Sequence, residues 1–238
     1  MTVEVFPLNI LGGAGKPPLT RVTDTFARGT LNPPGQVTWM HNVSVILPIT
    51  NNITFGLAFC NGVNQIVLSN QPNGVISTYF STLLLCVGLT TSAVYGLKQY
   101  CQSTFQGFAN AGAFGACGNM VMGKFDGENG AASWYGIAFR TSGGNPVIER
   151  CVIASNILTN TILFTDSVAA VAGDVWRLSF DPSTNTVTGT KNGSVVYSAV
   201  DGSPLSGGIP GYNMRTVLDV SGNGAQIIMS NLDCGLGL

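Results

Sequence analysis

The length, composition and charge of the chain set the first limits on its function. The chain has 238 residues, of which 45% are hydrophobic and 9% are charged, and its formal net charge is −1. Ordinary soluble domains carry about 25% charged residues, and nucleic-acid phosphates are bound by clusters of Lys and Arg, which this chain lacks. The composition therefore excludes strong nucleic-acid binding, and the length suits one large β-sandwich, alone or with an arm.

The first 21 residues differ in composition from the rest of the chain. They contain a strand-like apolar run and then a linker rich in glycine and proline at 12–18. We assign residues 1–21 to an N-terminal arm or linker that docks on a partner and residues 22–238 to the folded domain. A first strand of the sandwich with a loop is the alternative for this segment. The arm residues expected to contact a partner are Val3, Val5, Phe6, Leu8, Ile10 and Leu11.

Three patterns bear on the compartment of the protein. Glu4 and Pro7 interrupt the start of the sequence, which lacks the basic region and long apolar core of a secretory signal, so we expect synthesis in a cytoplasm. Residues 81–97 are uncharged, but polar residues and glycines interrupt them, which favours two buried strands over a membrane span. The six cysteines lie mostly among apolar residues without C-x-x-C spacing, so we expect buried thiols and no metal site.

Turn signals every 8–12 residues, without sustained helical periodicity, predict an all-β chain. Up to residue 80, strands are expected at 37–49, 53–59, 63–69 and 75–80. Residues 105–118, rich in Gly and Ala, are predicted to form an irregular loop whose phenylalanines fill the interior of the sandwich, with a loop that stacks on a ligand as the alternative. Further strands are expected at 119–125, 133–140, 147–154 and 161–165.

Residues 168–213 predict a β-meander. Residues 174–181 alternate between an apolar face and a mixed face, the period of a half-buried strand. The apolar face carries Trp176, Leu178 and Phe180, and the other carries Val175, Arg177 and Ser179. A β-branched strand at 186–191 comes next, then Asn192-Gly193, two residues that tolerate the positive φ of a tight hairpin. A third strand at 194–200 and a polar loop at 201–208 complete the meander.

This stretch resembles the C-terminal half of concanavalin A-like lectin/glucanase, or laminin-G-like, jelly rolls. The shared features are a G-D-x-x-R-L strand, a Thr/Val strand, an N-G hairpin, an apolar strand and a G-x-P-G turn. Residues 24–31, followed by Trp39, resemble the opening strand of such modules, and 227–235 resemble the closing strand that pairs beside it. The resemblance implies an all-β, jelly-roll-type antiparallel β-sandwich. Such modules bind sugars, serve as spacers or decorate phage virions, so the likeness leaves these roles open.

The residues that offer binding chemistry lie at 126–135. Glucanases of this fold resemble one another in an E-x-D-x-E strand, which this chain lacks; its nearest approach is Asp126 and Glu128. With Asn129 they are typical of a solvated turn, with a calcium or sugar contact as the alternative. Trp134 and Tyr135 come after this turn and offer an aromatic platform, although alternation places one of the two in the core. No nucleophile elbow or phosphate-binding loop is present, so we predict neither an enzyme nor a cofactor.

These features together predict a non-enzymatic virion structural protein, either a phage capsid decoration (cement) protein or a tail-associated component. It would be made in the host cytoplasm, reside in the virion and contact other virion proteins and copies of itself. The alternative is a carbohydrate-binding module that recognises a cell-surface glycan. We expect no nucleic-acid, membrane or metal partner.

Overall fold

The computed structural model describes residues 21–25, 39–46, 57–60, 65–69, 79–86, 97–109, 114–126, 131–140, 145–154, 157–217 and 226–236. Every regular element in these ranges is a β-strand, and they contain no helix that could cross a membrane. The strands are β1 (Arg21–Asp24), β2 (Trp39–Ile46), β3 (Leu57–Cys60), β4 (Ile66–Ser69), β5 (Tyr79–Cys86), β6 (Gln99–Ala109), β7 (Phe114–Asp126), β8 (Ala131–Arg140), β9 (Val147–Ala154), β10 (Ile157–Thr165), β11 (Val175–Asp181), β12 (Thr186–Lys191), β13 (Ser194–Val200), β14 (Ile209–Val217) and β15 (Gln226–Leu236).

The strands form two sheets in which every pairing is antiparallel. Sheet A has the order β13-β12-β11-β6-β15-β4-β3, with β1 also paired to β15. Sheet B has the order β10-β9-β8-β7-β14-β5-β2. Consecutive strands pair in the runs β11–β13 and β7–β10, and several other pairs join distant parts of the chain, as where β15 pairs with both β6 and β1. The predicted all-β fold is confirmed.

Aromatic side chains fill the space between the two sheets and hold them together. Tyr135 of sheet B stacks on Phe180 of sheet A with ring centroids 5.0 Å apart. Phe139 of sheet B contacts Trp176 edge-on at 5.7 Å and stacks on Phe105 at 4.8 Å. All five side chains are at most 2% exposed. The two sheets therefore form one sandwich with a shared aromatic core.

The β-meander predicted at 168–213 is confirmed as β11, β12 and β13. Burial alternates along β11, with Trp176, Leu178 and Phe180 buried and the residues between them half-buried. Asn192 and Gly193 have φ values of 51° and 81°, and Lys191 pairs with Ser194 across them. Positive φ at both central residues matches the twist of the flanking strands, which explains why this dipeptide forms the hairpin.

The predicted pairing of the opening and closing strands is also found. Strand β1 pairs with β15 so that Arg21 lies opposite Gly235 and Asp24 lies opposite Leu232. The opening strand ends earlier than the 24–31 segment predicted, and Phe26, in that segment, lies outside the described residues.

The prediction of an irregular loop at 105–118 is wrong. Strand β6 continues to Ala109 and β7 begins at Phe114, so most of the segment is strand. The glycines and alanines of this segment give no clear alternation of apolar and polar residues, so the sequence does not reveal a strand. Pairing of β6 with β15 nevertheless provides hydrogen-bond partners for the backbone N–H and C=O groups of β6. Strand β5, Tyr79–Cys86, also continues past residue 80, where the sequence analysis placed the end of a strand.

Strand β8 is covered on both of its faces. Six successive residues from Trp134 to Phe139 are buried, although side chains alternate between faces. Cys101, Cys151 and Cys234 are fully buried as well, as the sequence predicts for these positions. The thiol state of the six cysteines stays a prediction.

Candidate functional site

A groove of about 330 Å³ lies on the face of sheet A that points away from the core. Strands β6, β11 and β12 form its floor. The residues from these strands that line it are Gln99, Tyr100, Arg177, Ser179, Asp181, Thr186 and Thr188. A groove of this size lies at the lower end of the range for small-ligand sites.

Strand alternation places the polar side chains in this groove. Because Trp176, Leu178 and Phe180 enter the core, Arg177, Ser179 and Asp181 project from the opposite face of β11. Ser179 is the centre of a cross-strand row, since it lies opposite Tyr100 of β6 and opposite Thr188 of β12. The row continues to Ser198 of β13, whose hydroxyl is 3.1 Å from that of Thr188.

Tyr100 is held between a glycine and an arginine. The guanidinium carbon of Arg177 lies 3.9 Å from the centroid of the Tyr100 ring. On the neighbouring strand, a Cβ added to Gly235 would lie 2.6 Å from the ring's Cζ and Oη, so the ring occupies space that only glycine leaves open. The Tyr100 hydroxyl donates a 2.9 Å hydrogen bond to Asp233. Burial, followed by this bond to a carboxylate, raises the pKa of Tyr100 to about 12.

Asp233 is itself fixed by Arg21, whose Nε and Nη2 each donate a 2.8 Å hydrogen bond to its carboxylate. Burial acts to raise the pKa of Asp233, but the hydrogen bonds from Arg21 and Tyr100 outweigh it and the pKa is lowered. Asp233 is therefore ionised at neutral pH, and its hydrogen bonds fix the ring under Arg177.

An ion pair closes the other end of the groove. Lys98 Nζ lies 3.0 Å from the Asp181 carboxylate, which also accepts hydrogen bonds from the Ser183 hydroxyl at 2.6 Å and the Ser183 backbone N–H at 3.0 Å. The hydroxyl bond and then the ammonium of Lys98 lower the pKa of Asp181. Asp181 is therefore a carboxylate at neutral pH and has no proton to donate as a general acid.

The aromatic platform predicted at Trp134 and Tyr135 is wrong, because both side chains are fully buried. Tyr135 faces the core, and alternation turns Trp134 to the opposite face of β8. That face is covered too, so neither ring is open to a sugar. Asp126 ends β7, but its side chain, together with Glu128 and Asn129, lies outside the described residues. The arm residues, Val3, Val5, Phe6, Leu8, Ile10 and Leu11, also lie outside them.

Tyr135 instead fixes the loop at 201–208 to sheet B. Its hydroxyl donates a 2.7 Å hydrogen bond to Asp201 and accepts one from the Leu205 N–H at 3.1 Å. Arg150 Nη1 lies 2.7 Å from the same carboxylate and donates to the Ser203 carbonyl. Burial, followed by the hydrogen bond to Asp201, raises the pKa of Tyr135 well above its ordinary value. The Tyr135 hydroxyl therefore serves the structure of the loop rather than a ligand.

The groove could be found only in part from the sequence. Alternation along β11 predicts that Arg177 and Ser179 point away from the core, and the structure confirms it. The sequence around Tyr100 and Asp233 gives no such signal, because only the pairing of β6 with β11 and β15 brings Tyr100 to the groove and Asp233 to its hydroxyl. Among the residues that the structure describes, no group of three or more His, Cys, Asp or Glu could hold a metal ion.

No protein-family model and no curated protein matches this chain. A prokaryotic β-1,3-1,4-glucanase (lichenase) from a mouse hindgut metagenome is 13% identical, with a TM-score of 0.52 over 92% of this chain and 99% of that chain. A structure of endo-acting O-glycanases of the human gut microbiota is 9% identical, with a TM-score of 0.50 over 91% and 99%. The CBM2 module of the evolved Dit of Lactobacillus casei BL23 phage J-1 is 11% identical, with a TM-score of 0.48 over 92% and 96%.

At these identities the likeness concerns the fold alone. The two antiparallel sheets, the β11–β13 meander and the closing pair of β1 with β15 agree with it. The chain has the concanavalin A-like lectin/glucanase jelly-roll fold.

Proposed function

We propose that this protein is a non-catalytic carbohydrate-binding module and that the groove on sheet A is its binding site. The observation that carries the proposal is the cross-strand row at Ser179, where the hydroxyls of Thr188 and Ser198 lie beside it on the outer face and the buried ring of Tyr100 ends the row. Next to this row stands Arg177, over the Tyr100 ring. Hydroxyls, a guanidinium and a carboxylate on a rigid sheet suit a ligand that carries many hydroxyl groups.

The fold supports the same proposal. The lichenase and the O-glycanases that share it act on a β-glucan and on mucin, respectively. The groove of this chain differs from a glycosidase site, because hydrolysis requires two carboxylates about 5–10 Å apart across the bond. Asp181 is the one carboxylate among the described residues that line the groove, and Lys98 and Ser183 engage it. We therefore propose binding without hydrolysis.

Blocking the groove tests this proposal. Purified protein is screened on a glycan array, and the best ligand is titrated by calorimetry. Ser179→Trp places a large ring in the middle of the groove on the outward face of β11, so we expect at least about a tenfold loss of affinity. Hydrolysis of the same ligand is followed by release of reducing ends, and none is expected.

The matched control is Thr159→Trp, which adds the same ring at an exposed position of β10 in sheet B. Its affinity should equal that of the parent protein. The proposal is wrong if the array retains no glycan, or if Ser179→Trp binds as tightly as Thr159→Trp.

We also propose that the module acts as part of a virion, as a capsid decoration or tail-associated component. Three observations favour assembly with other chains. The sequence has no Asp, Glu, Lys or Arg from position 29 to position 97, and its arm carries the six apolar side chains that are expected to contact a partner. In the structure, β13 ends sheet A and leaves Val195 and Val200 63% and 68% exposed. Exposed apolar edges of this kind are typical of surfaces that other subunits cover.

Deletion of residues 1–18 tests the assembly role. We expect the shortened protein to fold, to bind its glycan and to lose its attachment to the particle or oligomer, measured by sedimentation and particle binding. Loss of folding would identify the segment as a core strand, and normal assembly would place the attachment surface elsewhere. Either result contradicts the proposed arm.

A further inference from the structure

We infer that the groove selects a sugar that carries a carboxylate group and that Arg177 is the residue that binds this carboxylate. The inference rests on the proposed carbohydrate binding and names its ligand class: an acidic, uronate-type glycan. It adds a specificity-determining residue to a site whose hydroxyls alone would accept any sugar.

The side chain of Arg177 has unused hydrogen-bonding capacity. Three arginine side chains are described, and two of them are engaged by carboxylates, Arg21 by Asp233 and Arg150 by Asp201. The Arg177 guanidinium stacks on the face of the Tyr100 ring and attracts the nearby Asp233 carboxylate, but it makes no hydrogen bond to a residue that the structure describes. Its five N–H donors are therefore available at the groove.

The guanidinium of Arg177 is held in a fixed position. Arg177 is half-buried on β11, and its aromatic partner is held by the Asp233 hydrogen bond on one side and by Gly235 beneath the ring. A guanidinium that stacks on an aromatic ring presents its N–H groups at its edges. Such a planar fork matches a planar carboxylate through two parallel hydrogen bonds, and little side-chain entropy is lost on binding.

The net charge of the groove favours an anionic ligand. The charged residues that line it are Lys98, Arg177 and Asp181, two cations and one anion, which leaves one net positive charge. Lys98 and Asp181 form an ion pair with each other. Arg177 attracts Asp233, but that carboxylate already accepts two hydrogen bonds from Arg21, so these three side chains together carry one net positive charge. One net positive charge suits a monoanion better than a dianionic phosphate monoester.

The test compares glycans that differ only in the carboxylate. The probes are glucuronate, galacturonate and mannuronate oligosaccharides, each with its methyl ester, sialylated glycans with their desialylated forms, and sulfated galactan oligosaccharides. We expect at least about tenfold tighter binding to an acid than to its neutral counterpart, measured by calorimetry. Arg177→Met should remove that preference and lower affinity for the acid by about 10- to 150-fold, the range for hydrogen bonds to charged groups.

Two further variants separate the role of Arg177 from general charge and from folding. Arg177→Lys retains the charge but lacks the planar fork, so it should recover only part of the acid preference. Lys124→Met removes an exposed positive charge from β7 in sheet B and should bind like the parent protein. Unfolding by urea shows whether each variant is folded before it is titrated.

The outcomes distinguish this inference from the proposed function. If the protein binds acidic glycans and their neutral counterparts equally, and Ser179→Trp blocks both, the proposed carbohydrate site stands and the proposed carboxylate specificity is wrong. Preference for sulfated galactan over every uronate would also overturn it. Failure to bind any probe would overturn both proposals.

Discussion

Strands β11 and β8 have similar apolar and aromatic content but differ in what covers them. Along β11, Trp176, Leu178 and Phe180 are at most 1% exposed, whereas the residues between them are half-buried and border the groove. Along β8, Trp134 and Tyr135 are both fully buried although they point to opposite faces. Alternation alone therefore does not predict an exposed aromatic side chain, because the pattern does not indicate whether the second face of the strand is covered.

The largest effect should come from truncating the buried tryptophans. Trp134→Ala and Trp176→Ala should each lower the free energy of unfolding by about 3–5 kcal/mol, because each removes a large ring from a fully buried position. Urea denaturation measures both. If Trp134→Ala cost less than about 0.5 kcal/mol, the range of surface substitutions, the second face of β8 would be open and the platform prediction would be restored.

The next effect concerns the loop that Tyr135 anchors. Asp201→Ala should destabilise the protein by about 3 kcal/mol at pH 7, because Arg150, whose side chain is 18% exposed, loses its carboxylate partner. Chemical denaturation measures the loss. The conservative variant Asp201→Glu should retain part of the stability, and equal stability of parent and Asp201→Ala would mean that the loop is held by other contacts.

The same variant gives a pH signature. Burial acts to raise the pKa of Asp201, but hydrogen bonds from the Ser203 N–H, the Tyr135 hydroxyl and Arg150 outweigh it, so the folded-state pKa is lowered. The stabilisation is therefore present above the unfolded pKa of about 3.9 and is lost as the pH falls through the lower folded value. Parent and Asp201→Ala should converge in stability over that acid range. A difference that stays constant with pH would contradict the ionic origin.

A smaller effect should come from filling the space under Tyr100. Gly235→Ala should lower the free energy of unfolding by about 1–3 kcal/mol. The added Cβ meets the Tyr100 ring, which Asp233 and Arg177 hold in place. It should also weaken glycan binding, since the ring supports Arg177. Gly189→Ala on β12 is the matched control: the added Cβ meets the terminal methyl of Ile148, which can rotate away. If the two variants are equally stable, Tyr100 is free to move.

The smallest effect is expected at the ion pair that closes the groove. Lys98→Met should change the free energy of unfolding by about 0.2–1 kcal/mol, because its side chain is 46% exposed and water screens the pair. Comparison with Asp201→Ala in the same denaturation series tests the contrast between surface and buried ion pairs. A loss above about 2 kcal/mol would show that the pair is as important to folding as the one at Arg150.

Local patterns in the sequence predict the strands and the hairpin of the β11–β13 meander. The period of two along 174–181 predicts which side chains of β11 enter the core, and Asn192-Gly193 predicts the β12–β13 turn, since both depend only on neighbouring residues. The prediction of an irregular loop at 105–118 was wrong because the Gly and Ala residues there show no clear alternation of apolar and polar side chains. Long-range pairing with β15 made most of that segment strand.

The position of the groove depends on tertiary contacts. Arg177 was expected on an outer face, but its support comes from Tyr100 of β6 and, through it, from Gly235 and Asp233 of β15. The burial of Trp134 likewise depends on what packs against a second sheet face. Which strands pair, and which faces are covered, depend on contacts between residues far apart in the chain, and a pattern of period two contains no information about such contacts.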